Sequence, residues 1–272
     1  MNNFIELISF NFFQNALWAA LLTSLMAGIV GTYIVARRNV FISGGITHAS
    51  FGGMGIAYFL GLSPILGATV FAIGSALGIE WTSKKAGLRE DSAIAIIWSL
   101  GMAIGIIFVF LTPGYTPNLM SFLFGDILTV KMIDLFLLAI LSCIIILLTV
   151  IFYHPILFTA FDSDYAQTVG YKSTLIRYII SIIIALSIVL AIKIMGIILV
   201  LSLFTIPPST ANLFSKNFKS IIYISVVISL TGSISGLILA YIFDLPSGAT
   251  IIFTLTGMYA LLRILKYVFE KR

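Results

Sequence analysis

The sequence is a series of apolar runs, most of them about as long as a helix that crosses a lipid bilayer. Hydrophobic residues make up 60% of the 272 positions, and charged residues only 9%. Because the hydrocarbon core of a bilayer is about 30 Å thick, each crossing needs about 20 mostly apolar residues in a helix. The runs therefore predict an all-α polytopic membrane protein with little mass outside the bilayer, and they exclude a water-soluble enzyme.

Breaks between the apolar runs divide the chain into nine candidate spans. The second and third are short and rich in glycine, and Pro207 and Pro208 interrupt the seventh, so we expect eight or nine transmembrane helices in a single transmembrane domain, residues 1–272. Backbone groups freed at such breaks cannot face lipid, which places the broken segments inside the bundle or beside a wet cavity. The segments are 13–36, 42–60, 65–80, 92–111, 132–152, 176–193, 195–212, 220–243 and 249–268.

The distribution of positive charge orients these spans. Thirteen of the 15 Lys and Arg residues fall on one side of the map, and only Lys131 and Lys193 fall on the other. Because Lys and Arg concentrate in cytoplasmic loops, the side with thirteen is predicted to be cytoplasmic. The C-terminus lies on that side, and nine spans would leave the N-terminus outside.

Composition and motifs also limit the kinds of partner and chemistry. The net charge of +5 is not concentrated in a basic run or a basic amphipathic face, so we expect no nucleic-acid partner. The sequence contains no P-loop, no nucleophile elbow and no HExxH motif. We therefore expect no catalysis by this chain, and energy for uphill transport would come from a separate chain.

Two connections between the spans are longer than a turn. In the outer one, residues 112–131, the apolar stretch 119–124 predicts a short helix that dips back into the membrane, and Asp126 at its end could attract cations or cap the next helix. In the inner one, residues 153–177, Asp162 or Ser163 can cap a short helix that Gly170 ends. A cytoplasmic helix of this kind is well placed to dock a partner.

His48 is the sharpest candidate for chemistry inside the membrane. It lies in SGGITHASFGG, where helical spacing of four puts Gly44, His48 and Gly52 in one row. One interpretation places the imidazole on a metal path, because neutral imidazole is the commonest metal ligand. The other makes the glycines a close helix contact with His48 hydrogen-bonded across it.

Other ionisable residues have simpler interpretations. His154 precedes Pro155 at the inner end of a span and is expected at the interface. Glu80, Glu90 and Asp91 lie among basic residues on the inner side, so we expect them to be solvated.

Five stretches of the chain together resemble a known family. In order and spacing they are similar to the membrane permease subunits of bacterial zinc, manganese and iron ABC importers, and the likeness covers nearly the whole chain. The stretches are SGGITHASFGG (43–53), LMSFLFGDILTV (119–130), DSDYAQTVG (162–170), AIKIMGIILVLSLFTIPPSTANLF (191–214) and FDLPSGATIIF (243–253).

The resemblance implies a multi-pass protein of the bacterial inner membrane with an architecture like the vitamin B12 importer. It implies a homodimer with a path on the two-fold axis, a cytoplasmic ABC ATPase dimer and an extracytoplasmic metal-binding protein. The chain itself would bind no cofactor, and a divalent metal ion, zinc or manganese, would be the cargo. The family's functional histidine falls on His48, and Gly44, Gly52 and Asp126 would accompany it on the translocation path.

The resemblance also assigns a coupling role to one segment, and at one position this sequence departs from the family's pattern. The family's cytoplasmic coupling segment falls on residues 162–170, with Asp162, Asp164, Tyr165, Val169 and Gly170. The family often has an Asp four residues before the histidine, where this chain has Gly44. Without that oxygen ligand we expect a slight preference for Zn²⁺ over Mn²⁺.

Two alternative functions stay open from the sequence. One is a secondary transporter or channel for divalent cations, which would need intramembrane carboxylates that this chain largely lacks. The other is an ABC permease for a larger cargo such as a metal chelate.

Overall fold

The computed structural model describes residues 10–85, 87–113, 125 and 127–270. Within these ranges the chain forms ten α-helices, one short 3-10 turn and no strand. The elements are α1 (Asn11–Ala36), α2 (Phe41–Phe59), α3 (Pro64–Lys85), α4 (Glu90–Leu111), the 3-10 turn (Ile127–Thr129), α5 (Met132–Ile151), α6 (Tyr153–Phe161), α7 (Ser163–Thr168), α8 (Ser173–Phe214), α9 (Phe218–Phe243) and α10 (Ser247–Glu270).

The all-α polytopic fold class is confirmed. In the described part of the chain, seven helices are long and apolar enough to cross a membrane, namely α1, α3, α4, α5, α8, α9 and α10. The prediction was eight or nine. The difference lies in α2, whose glycines and polar residues lower its hydropathy, and in α8, which counts once although Gly196 divides it into the two parts where two spans were predicted.

Gly196 interrupts α8, and this corrects the predicted position of the break. Its backbone has φ 76° and ψ 167°, a conformation that is accessible to glycine and costly for other residues. Pro207 and Pro208 lie inside the helix instead of ending it. The parts before and after Gly196 are each about 20 residues long, enough for one crossing apiece.

Packing divides the chain into two compact units, each built from separate stretches of sequence. One contains α1 up to Val35, α5 up to Leu148, α8 from Ile194, and α9 and α10. The other contains α2, α3, α4, α6 and α7 with α8 up to Lys193. That they form a single functional domain stays a prediction.

Small and hydroxyl side chains bring the helices of the first unit together. Ser229 donates a hydrogen bond to Ser24 at 3.1 Å, joining α9 to α1. Helix α9 also packs closely on α10, where a Cβ at Gly236 would lie 2.6 Å from the Cα of Ile251. Close helix contacts of this kind hold membrane bundles together, because lipid gives no hydrophobic driving force between helices.

Candidate functional site

The glycines of α2 bring its backbone unusually close to α4. A Cβ at Gly52 would lie 2.7 Å from the carbonyl oxygen of Gly101, and a Cβ at Gly55 would lie 2.6 Å from that of Gly105. Gly45 lies against the side chain of Ile94 in the same way. Because no larger residue fits at these positions, the glycine pattern of the sequence sets the distance between the two helices.

A second glycine contact joins α2 to α3. Gly53 and Gly67 approach so closely that a Cβ on either one would clash with the carbonyl oxygen of the other. Helix α2 therefore packs against α3 and α4 with glycine at both contacts. This enclosed position is what the sequence predicted for a span weakened by glycine.

His48 lies on α2 between the glycine contacts with α4. Its imidazole stacks on the indole of Trp98, with ring centroids 4.3 Å apart and planes inclined by 7°. The side chain is partly exposed, but Nδ1 is buried and has no hydrogen-bond partner among the described residues. Unpaired polar atoms are uncommon in a packed interior, so this nitrogen is a candidate for an external ligand.

The hydroxyls beside His48 are already used within α2. Thr47 donates to the carbonyl oxygen of Ser43 at 2.5 Å, and Ser50 donates to that of Thr47 at 2.6 Å. These bonds satisfy the two hydroxyls inside the helix. His48 is therefore the polar group of this stretch that keeps a nitrogen available.

The surroundings of His48 differ from the open row that the sequence pattern indicated. Gly44 and Gly52 are buried on α2, and the large ring of Trp98 fills the space beside the imidazole. No group of three His, Cys, Asp or Glu side chains able to hold a metal ion occurs among the described residues. One copy of the chain thus offers a single imidazole, and other groups would have to complete a metal site.

The outer candidate, Asp126, and the expected short helix over 119–124 lie outside the described residues. Gly125, immediately before Asp126, has a positive φ of 62°. It lies against the backbone of Met195 and Gly196, where α8 is interrupted. A side chain at position 125 would clash with that backbone, so glycine is required there.

A buried cluster of charges from α3, α4, α8 and the α1–α2 connection was not expected from the sequence. We call Arg37, Glu80, Glu90 and Arg177 the Glu80 cluster. Glu80 was predicted to be solvated, and this is wrong, because only 1% of its side chain is exposed. Its carboxylate pairs with Arg37 at 2.7 Å and with Arg177 at 2.7 Å, and Arg37 also pairs with Glu90 at 2.6 Å.

One sequence signal could have identified the Glu80 cluster. Glu80 is an acidic residue inside the apolar stretch of α3, and Arg177 interrupts the apolar start of α8. Charges in such positions are buried only when they are paired. Asp91, by contrast, is exposed as predicted and makes a 3.7 Å contact with exposed Arg89.

The predicted short helix of the inner connection is present as α7. Asp162 caps it, since its side-chain oxygen accepts hydrogen bonds from the backbone N–H groups of Asp164 and Tyr165 at 3.0 and 2.9 Å. Gly170, with φ 93°, ends it. The preceding helix α6, which carries His154 at an exposed position in its first turn, was not predicted.

Helix α7 presents apolar side chains on its surface. Tyr165 is 52% exposed and Val169 is 48% exposed, whereas Ala166 is fully buried. Isolated exposed apolar residues are ordinary. Tyr165 in α7 and Val169 directly after it are four positions apart and lie outside the predicted spans. Asp164 is exposed beside them.

Seven apolar helices in the described residues, together with the glycine-packed, histidine-bearing α2, define a multi-pass membrane protein. Residues 9–266 match the sequence model of the ABC 3 transport family, and the chain belongs to that family.

Individual relatives match over nearly the full length. The chain is 40% identical over 257 residues to a probable metal transport system membrane protein of Chlamydia trachomatis, covering 92% of this chain and 88% of that one. It is 31% identical over 258 residues to the manganese transport system membrane protein MntC of Halalkalibacterium halodurans, covering 95% and 88%. Among solved structures, PsaBC from Streptococcus pneumoniae in complex with Fab aligns with a TM-score of 0.84 at 31% identity, covering 96% and 94%.

Proposed function

We propose that this chain is the permease subunit of an ATP-driven importer of divalent metal ions and that the ion passes His48. The observation that carries the proposal is the buried, unpaired Nδ1 of His48 on the glycine-enclosed helix α2. A nitrogen without a protein partner can bind a passing ion without first breaking a hydrogen bond. The names of relatives, which include manganese transport proteins, support the same cargo class.

The proposed assembly is based on the small number of metal ligands that one copy of the chain provides. A single imidazole is a poor ion site, so we propose a homodimer in which two copies of His48 face a two-fold axis, with Gly44 on the same helix beside the path. Gly52 is packed against α4 and does not line the path. The cytoplasmic ABC ATPase dimer docks on α7 through Tyr165 and Val169, and an extracytoplasmic metal-binding protein delivers the ion. The chain acts as one transmembrane domain of the bacterial inner membrane, with its C-terminus in the cytoplasm.

The cargo is zinc or manganese, with zinc favoured by the donor set. Gly44 supplies no carboxylate, and imidazole suits Zn²⁺ better than Mn²⁺, which prefers oxygen ligands. A site with few ligands also releases its ion readily, as transport requires.

Reconstitution in liposomes tests this function. The permease with its ATPase and binding protein should take up radioactive Zn²⁺ or Mn²⁺ only when ATP is supplied, and an ATPase variant that cannot hydrolyse ATP is the control. Uptake driven by an ion gradient without ATP would instead identify a secondary transporter or channel. Uptake of a metal chelate that free ions do not inhibit would identify a chelate permease.

A further inference from the structure

The Glu80 carboxylate is held by three other side chains. Arg37 Nη1 donates to Oε1 at 2.7 Å, and Ser181 Oγ donates to the same oxygen at 3.1 Å. Arg177 donates through Nε to Oε2 at 2.8 Å, and its Nη2 lies 2.7 Å from that oxygen. Both carboxylate oxygens are therefore satisfied, and the paired guanidinium geometry fixes the direction of Arg177.

Two hydrogen bonds connect α7 to the start of α8, the helix that carries Arg177. The Tyr171 backbone N–H donates to the carbonyl oxygen of Ala166 at 3.0 Å, and Gln167 Nε2 donates to Ser173 Oγ at 2.8 Å. These bonds tie α7 to the start of α8. Arg177 lies one turn further along α8, so a displacement of α7 moves the guanidinium that holds Glu80.

The Glu80 cluster also includes residues of α3 and α4, the two helices that pack against the helix of His48. Glu80 lies on α3, which touches α2 through the Gly53–Gly67 contact. Glu90 lies in the first turn of α4, which carries Trp98 and the glycines that pack on α2. The Glu80 cluster thus joins the start of α8, which is bonded to α7, to α3 and α4, the two helices that pack on α2 around His48.

We propose that Glu80 is a positioning residue for transport: it transmits displacement of α7 to α3 and α4, and so to the helix that carries His48. The inference rests on the proposed function. Its physical basis is that separating Arg177 from Glu80 would strip the buried carboxylate of one of its two guanidinium partners and leave Oε2 without its donors, which is costly, so the joined helices move together. A buried ion pair adds little stability over an apolar pair of the same size, which makes transmission of movement a better reason for its presence than stability.

Two variants test the role of Glu80 in the reconstituted complex. Glu80→Gln keeps the shape but turns an amide donor toward the arginines, and Arg177→Lys keeps the charge but loses the paired donors. The readout is metal taken up per ATP hydrolysed, measured only on assembled complex. We expect a fall of about fivefold or more for Glu80→Gln and a smaller fall for Arg177→Lys, with ATPase association unchanged.

Asp91→Asn is the matched control, because it removes a carboxylate from the exposed Arg89–Asp91 pair at the start of the same helix α4. This variant should keep the wild-type ratio of metal taken up to ATP hydrolysed. A wild-type ratio in Glu80→Gln would overturn the inference, and if that variant does not assemble, a wild-type ratio in Arg177→Lys would do so. Absence of ATP-dependent metal uptake by the wild-type complex would instead reject the proposed function, which separates the two failures.

Discussion

At the scale of single residues, His48 and Glu80 show two ways of placing a polar group in an apolar helix. Glu80 has all its hydrogen-bonding capacity filled by Arg37, Arg177 and Ser181. His48 has an aromatic ring against one face and a buried nitrogen without a partner among the described residues. A polar group whose hydrogen bonds are all made within the protein fixes structure, whereas a polar atom without a partner is available to a ligand.

We expect His48→Ala to lower ATP-dependent metal uptake by at least about tenfold, because the loss of even an outer partner of a metal ligand costs about 10- to 100-fold in affinity. The measurement is radioactive metal uptake by liposomes that contain equal amounts of assembled complex. His154→Ala is the control, since His154 is exposed on α6 and should not affect uptake. Normal uptake by His48→Ala would show that the stacked ring serves packing alone.

At the scale of elements, α7 has both ends fixed by local bonds, one buried side chain and an apolar exposed surface. Asp162 caps its first turn, Gly170 ends it, and buried Ala166 anchors it. A helix of six residues is too short to be stable alone, so these local bonds are what hold its shape. Under the proposed function, an ATPase docked on Tyr165 and Val169 would displace the start of α8 through the bonds that tie it to α7.

Changing both Tyr165 and Val169 to Glu should weaken association of the ATPase by about tenfold or more, because exposed aromatic and apolar anchors carry much of the free energy of binding. Co-purification and titration of the ATPase against detergent-solubilised permease measure this. Leu88→Glu makes the same kind of change at an exposed position between α3 and α4 and should leave binding intact. Equal ATPase affinity in the α7 double variant and the wild type would place the docking surface elsewhere.

At the scale of the whole molecule, the positions of the Lys and Arg residues predict which side of the membrane each connection faces. Arg89 and Lys172, in two connections predicted to face the cytoplasm, are exposed, so a membrane-impermeant reagent can test their side of the membrane. Native Cys143 is exposed on α5 and has to be replaced before labelling.

In a Cys143→Ser background, Leu62→Cys should react with an impermeant maleimide added to intact cells, since Leu62 is exposed in the α2–α3 connection, on the predicted outer side. Arg89→Cys and Thr168→Cys should react only after permeabilisation, because both are exposed on the predicted inner side. Reaction of either inner variant in intact cells would reverse the orientation or require a different number of spans.

The apolar helices, the glycine-rich character of α2, and the cap and end of α7 could all be predicted from the order of residues. Each arises within a few turns of one segment, so neighbouring residues are enough to predict it. The burial of Glu80 could not be predicted in this way, because its partners Arg37 and Arg177 are 43 and 97 positions away and come together only when the helices pack. The same holds for His48, whose spacing marks it as unusual but whose Trp98 neighbour comes from another helix. Long-range contacts of this kind depend on how helices pack, and local pattern does not encode them.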